Sequence, residues 1–577
     1  MRVQSAYPRI TGSQPRVEHT ELSLRVIEGE LPRGLGGHYF FVGPAGTAGG
    51  GRTPVFLGDG LIRRVRLGPE PSITSRVLRT PCQLADELVR DDRVARFRNV
   101  GLARLSPRLG FRNFGNTALA SFELPGQPTR LLAGYDAARP VEVDPATLEL
   151  ATVIGARESW TPSAMPRHSF PLVMGTGHPA WDAQTHEMFF VNYSLGLAKS
   201  GSRPFTRLLR WTGESEPESW PLVDPAGRPV VIEQSVHQMA VSERWVLLMD
   251  TAFRVSLHAL LPDPWSRRAP AQHPHARLWL VERAALSARP GSEVLARPVE
   301  LEREASHFAV DHCDRYGVVV HAGHSVGLDL ARWVRAGQPQ TDGRPIAPGF
   351  DGLPTCGTDV NVLGRHVIDP HTGETSSQWL ADEERTWGLG FVTDTSTSPH
   401  HDPARVTAQW WFASGFWPEL VPAPHLDTYG DHPHRRVPVD VVRKKRWSPS
   451  VLFRLDVQGL RIVDEFRFPP STTLSSPQFV PHDDATHAEH GFLIVVVWSG
   501  DDTELWIFDA EDLARGPLVK LGHPELTAGF TMHATWMRDA APRASSYRVD
   551  PWADLVRGLP FGSLGNRLRE ELRPLLS

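Results

Sequence analysis

Apolar residues in this chain come in short runs rather than long helical stripes. Glu187–Tyr193, Phe205–Trp211, Trp245–Asp250, Ala276–Val281, Tyr316–His321, Val451–Asp456 and Gly491–Trp498 are such runs, each bounded by turn formers, and each predicts a strand. Leu61–Leu67 alternates apolar and polar positions, and glycine-punctuated turns flank a short aromatic strand between Val26 and Pro44. Asn116–Glu123, Arg130–Asp136 and Val141–Glu149 read as strand, strand and turn, the pattern of an antiparallel meander. Residues 85–110 are charged and helix-compatible. Between about 325 and 450 the pattern dissolves into Pro-, Gly-, Asp- and His-rich segments around one apolar island, Trp410–Trp417, which predicts loops and small helices covering one face of the fold. Many short strands over several hundred residues predict an all-β chain built by radial repetition, a β-propeller, and no sequence repeat reveals the number of blades. The expected organisation is an N-terminal arm over 1–20, a single propeller domain over 21–540 and a C-terminal helical extension over 541–577. In that extension Leu564, Leu568, Leu572 and Leu575 recur at helical spacing, as in an amphipathic helix packed on the body.

Composition narrows the function classes. With 51 Pro and 49 Gly in 577 residues, turns and short elements are favoured over long helices. A net charge of −5 provides no global field that would draw the chain to nucleic acid, so no nucleic-acid partner is expected. Cys82, Cys313 and Cys356 are an odd number, widely separated and without CxxC spacing, which argues against a disulfide framework and points to a reducing cytoplasm. The opening residues lack the apolar core of a signal peptide, and no apolar run reaches membrane-spanning length; any membrane contact is expected to be peripheral.

The chemistry lies in histidine. The chain has 25, so a single one carries little weight, but His178, His237, His307 and His533 each stand at or beside a strand-like run. No HxxxH or HExxH pair accompanies them, so a local helical zinc motif is excluded. Strands from separate blades converge on a propeller axis, where each can donate one residue. Neutral imidazole is the commonest side-chain ligand for iron, zinc, copper and nickel.

Gly29–Pro32, Gly43-Pro44, Phe56–Gly60, Asn116-Thr117, Asp144–Glu149, His178-Pro179, Val236-His237, Ser306-His307, Phe479–Pro481, Ile507–Ala510 and His533–Trp536 form an ordered set across most of the chain. In this set the sequence resembles the carotenoid cleavage oxygenases, a family that includes lignostilbene dioxygenases and the vertebrate retinoid isomerohydrolase. The resemblance implies a seven-bladed propeller under a dome of loops and short helices, with axial Fe(2+) bound by His178, His237, His307 and His533. It implies a monomeric oxygenase that cleaves a conjugated C=C bond of an apolar polyene, a carotenoid or apocarotenoid, or a related alkene with O2, giving carbonyl products. An iron-dependent isomerase or hydrolase of a retinoid-like substrate and a non-catalytic binding propeller are the alternatives. In the family, carboxylates accept the outer N–H of three of the histidines. Asp136 matches the first of these, Ser476 stands where a Glu is usual, and Arg436 stands on the third. Gly101 and Tyr135 occupy the positions where lignostilbene-type members carry a Tyr and a Lys for a phenolic hydroxyl, which disfavours a 4-hydroxystilbene substrate.

Overall fold

A computed structural model describes residues 6–9, 16–46, 53–194, 204–251, 271–560 and 562–576. Its strands form seven blades around one axis. Five are plain four-stranded meanders whose innermost strands are Ala118–Phe122, Ala180–Asp182, Val236–Val241, Ala305–Val310 and Leu389–Asp394. The other two combine both ends of the chain. In one, Ala534–Met537 lies innermost against His38–Ala45, followed outwards by Asp59–Arg66, Ser72–Val77 and His19–Ser23. In the other, Arg25–Gly29 adds to the outer edge of a sheet made from Pro517–Gly522, Asp502–Asp509 and Gly491–Ser499, with Gln478–Pro481 on its inner side.

Inner strands of successive blades lie side by side from Ala180–Asp182 around to Ala534–Met537, and the latter also meets Ala118–Phe122. Two neighbouring blades are further joined at their rims, where Glu218–Val223 pairs in parallel with Val294–Leu301.

Burial explains why these strands were readable. Middle strands such as Trp245–Asp250 and Ala408–Ala413 are covered on both faces by adjacent blades and are buried at every position, so they appear as continuous apolar runs. Rim strands face water. Arg25–Gly29 is exposed throughout and Thr375–Ala381 has no buried position, so their polar patterns resemble loops.

That resemblance misleads between 325 and 450. The segment contains Val362–Ile368 and Thr375–Ala381, which complete one blade, and Leu389–Asp394 and Ala408–Ala413, which begin the next; the apolar island is in large part a blade strand. The remainder does form the dome, with short helices Ala423–Thr428 and Val439–Lys444 over an apolar centre that includes Trp387, Phe416, Trp417 and Val442. Residues 85–110 also differ from expectation. The helix is confined to Pro81–Leu88, with Thr80 accepting from Gln83 N–H at its start, and is followed by the small sheet Arg98–Val100, Ala103–Ser106 and Gly110–Phe111.

The tail runs without regular secondary structure before it turns helical at Pro551–Val556 and Ser563–Leu576. Tyr547 accepts the Gly155 N–H at 2.8 Å, and Val549 N–H donates to Thr152 at 2.9 Å. Leu568 and Leu572 are buried against helix Pro81–Leu88, but the third buried leucine is Leu576, while Leu575 is exposed. At the start of the chain, strand pairing begins at His19, inside the span assigned to the arm.

One buried carboxylate organises the approach to the axis. Asp250 accepts the N–H groups of Glu233 at 2.7 Å and Gln234 at 2.8 Å, shaping the turn that leads into Val236–Val241. Desolvation raises its pKa to about 7. The native state therefore keeps a proton that the unfolded chain releases near pH 4, so stability falls as pH rises through this interval and levels off above it. Asp250→Asn should flatten the dependence of melting temperature on pH between 5 and 8. An unchanged slope would show that Asp250 is not its source.

Candidate metal centre

Each of the four histidines enters from a different blade. His178 stands two residues before Ala180–Asp182, His237 is second in Val236–Val241, His307 is third in Ala305–Val310, and His533 immediately precedes Ala534–Met537. The ladder is irregular between Val236 and Met239 and again between Ala305 and Phe308, bulges that bracket His237 and His307. A bulge re-aims a side chain that regular alternation would direct elsewhere. His178 is fixed by its backbone: its N–H donates to the His237 carbonyl, and its own carbonyl accepts from Met239 N–H, both at 3.0 Å.

The result is a convergent set in which one potential ligand atom from each ring lies within 4.8 Å of the others. Ring centroids of His178 and His533 are 4.0 Å apart, and those of His307 and His533 are 4.9 Å apart. Burial, reinforced by the neighbouring imidazoles, pushes His178 and His533 well below the usual histidine range and His307 down to about 3. These rings are therefore neutral at physiological pH, with a lone pair available. The Nε2 atoms of His178 and His307 are buried without a hydrogen-bond partner. Buried polar atoms rarely stay unmet, and four convergent imidazole nitrogens match the donor chemistry of a divalent transition ion.

The surrounding support is uneven. Asp136 Oδ1 accepts from His237 Nδ1 at 2.8 Å and from Gly177 N–H at 3.2 Å, which leaves Nε2 of His237 as the ligating nitrogen. Gly177 fits because it lacks a side chain: a Cβ there would sit 2.8 Å from the Thr117 methyl and 3.1 Å from Asp136. For His307 the acceptor is the main-chain carbonyl of Gly390, 3.0 Å from Nδ1. A third bulge, between Leu389 and Val392, brackets that carbonyl. Arg436 belongs to the dome, where its backbone N–H donates to Asp359 at 2.6 Å. Ser476 is buried, but its hydroxyl donates to the Pro477 carbonyl at 3.5 Å and not to a histidine. His533 has no hydrogen-bond acceptor on its ring among the described residues; Phe391 packs edge-on against it at 4.6 Å.

Sequence reasoning missed Gly177, Gly390 and Phe391. The signal for the last two was present, since a glycine inside a strand, Gly390 in Leu389–Asp394, often marks a bulge. Other histidines are engaged elsewhere: His168 with Pro107 O, His321 with Asp311, and His523 with Glu525 N–H. Gly101 forms a left-handed hairpin turn, with φ of 56°, and Tyr135 packs against Phe114 at 5.7 Å.

Loss of the Asp136 carboxylate should be felt through the metal. Asp136→Ala is expected to weaken metal binding about 10- to 100-fold, and Asp136→Asn less, because an amide oxygen still accepts from Nδ1. Competition with a chelator of known affinity measures both; equal losses would refute the hydrogen-bond account.

No curated protein sequence matches the chain. Solved structures do. The cobalt-substituted apocarotenoid oxygenase of Synechocystis has 17% identity and a TM-score of 0.59 over 93% of this chain and 100% of that one. The lignostilbene dioxygenase of Pseudomonas brassicacearum has 17% identity and a TM-score of 0.61 over 92% and 98%. A chimera of apocarotenoid oxygenase and RPE65 has 18% identity and a TM-score of 0.60 over 92% and 98%. At such identities the likeness establishes the fold. The family model described as retinal pigment epithelial membrane protein, RPE65, matches residues 12–538, and the chain belongs to that family.

Proposed function

We propose that His178, His237, His307 and His533 hold Fe(2+) and that the protein is an oxygenase cleaving a conjugated C=C bond of an apolar polyene or related alkene with O2. The observation that carries this reading is the convergence of four imidazoles, two with buried and unpartnered Nε2 atoms. Bound there, iron would keep its full charge and supply positions for activating O2. The protein contributes alignment and dryness. Asp136 and Gly390 hold the protons of His237 and His307 on Nδ1, directing Nε2 inwards. Phe391 lines the centre with an apolar face beside His533 and His307. No protein nucleophile or acid–base pair is required, so substrate recognition would be mainly hydrophobic.

The test is iron-reconstituted protein with a panel of carotenoids, apocarotenoids and stilbenes under labelled O2. Label in the carbonyl products supports the reading. Turnover without O2 would replace it with the isomerase or hydrolase alternative, and no conversion across the panel would remove the cleavage reading.

A further inference from the structure

We propose that a cavity beneath the C-terminal extension, away from the propeller axis, is a binding site for a short-chain monocarboxylate. The cavity lies between the chain that follows Asp136, the segment from Arg157 to Val173 and the tail helix Pro551–Val556, and none of the four axial histidines lines it. The tail helix is outside the span 12–538 that matches the family model, so this wall is an addition of the chain's own.

Four charged side chains border the cavity. Arg112 is matched by Asp59 and Asp86. That leaves Arg139, Arg157 and Asp554, two cations and one anion. Asp554 pairs with Arg139 through Oδ2, and its Oδ1 accepts the main-chain N–H of Arg157 at 2.8 Å. Among the described residues the Arg157 guanidinium donates to main-chain carbonyls alone, those of Pro166 at 2.7 Å, His168 at 2.9 Å and Ser169 at 3.4 Å. One positive charge is therefore in excess in partly buried surroundings, where pairing with an anion is favoured. Ser169, which is 6% exposed, lines the same cavity with a buried hydroxyl that has no hydrogen-bond partner. Buried hydroxyls are rarely left unmet, and this one is free to donate to an anion held beside the guanidinium groups.

The remaining wall sets the rest of the ligand. Trp160, Phe170 and Val173 make it apolar, which favours an alkyl chain over a bare inorganic ion. The volume of about 80 Å³ is roughly half of the ~150 Å³ that admits benzene, which limits the occupant to about three or four carbons. Asp554 is then a tethered rival, since its carboxylate competes with the ligand for Arg139.

Isothermal titration of the full-length protein with butyrate tests this, with n-butanol and phosphate as controls. The expected result is saturable one-site binding of butyrate, none of n-butanol, and phosphate weaker by about tenfold or more. Asp554→Asn keeps an acceptor for the Arg157 N–H but removes the rival charge, and should tighten butyrate about tenfold. Arg139→Gln should weaken it about tenfold, and Ser169→Ala by a smaller factor. If Arg139→Gln does not fold, the comparison of Asp554→Asn with Ser169→Ala decides. No saturable binding of butyrate, or phosphate binding as tightly, overturns the proposal. So does butyrate affinity that is unchanged or lower in Asp554→Asn, the outcome expected if Asp554 only holds the tail helix in place. Binding that is equal in wild type and the cavity variants but lost in His533→Ala would place the carboxylate at the axis and also overturn it.

Discussion

His533→Ala should yield a folded protein that retains almost no iron and has no oxygenase activity. His533 is central to the set, with ring centroids of His178 and His307 at 4.0 and 4.9 Å, and its removal leaves a three-nitrogen site opening on the cavity vacated by the imidazole. Lacking an acceptor on Nδ1, its ring is oriented by packing against Phe391 and the other histidines. Alanine at 178, 237 or 307 should have the same effect. His168→Ala, His321→Ala and His523→Ala should keep the metal, because their rings are committed to Pro107, Asp311 and Glu525. Metal analysis after reconstitution separates the groups. Unchanged iron in any member of the first set would disprove the four-histidine assignment.

Glu142→Ala should be the most destabilising single change in the blade that carries Asp136. Glu142 is fully buried, accepts from Nε and Nη2 of Arg130 at 2.6 and 2.7 Å, and forms an ion pair with Arg543 of the tail, whose Nε lies 2.7 Å away. Arg130 is itself buried between the rings of Phe122 and Trp211, at 5.1 and 5.2 Å. Removing the carboxylate leaves two cations without it, and breaking such a buried pair costs about 3–5 kcal/mol. The expected readout is a clear drop in melting temperature and early release of the tail to proteolysis. Glu142→Gln should recover part of the loss by keeping an acceptor. A melting temperature within a degree or so of wild type would show that solvent reaches the arginines.

Much of this was legible in the residues. The apolar strands and the four histidines stand in local patterns, and Asp136 lies at a strand end. The acceptor of His307 was not legible, because a main-chain carbonyl has no residue identity; only Gly390 within a strand hints at it. Ser476 marks a position, but the direction of its hydroxyl depends on the backbone at Pro477. Thr375–Ala381 was hidden because a rim strand with solvent on its outer side carries a polar sequence.

The pairing of His38–Ala45 with Ala534–Met537 also sets an order of events during synthesis. The N-terminal strand leaves the ribosome nearly five hundred residues before its neighbour exists, and the last histidine travels on that late neighbour. A nascent chain halted between residues 307 and 533 has an open ring and three of the four imidazoles, and one halted earlier has fewer, so a truncated product cannot build the complete centre. The four-nitrogen set is thereby assembled only on chains extended past residue 533 and through its partner strand.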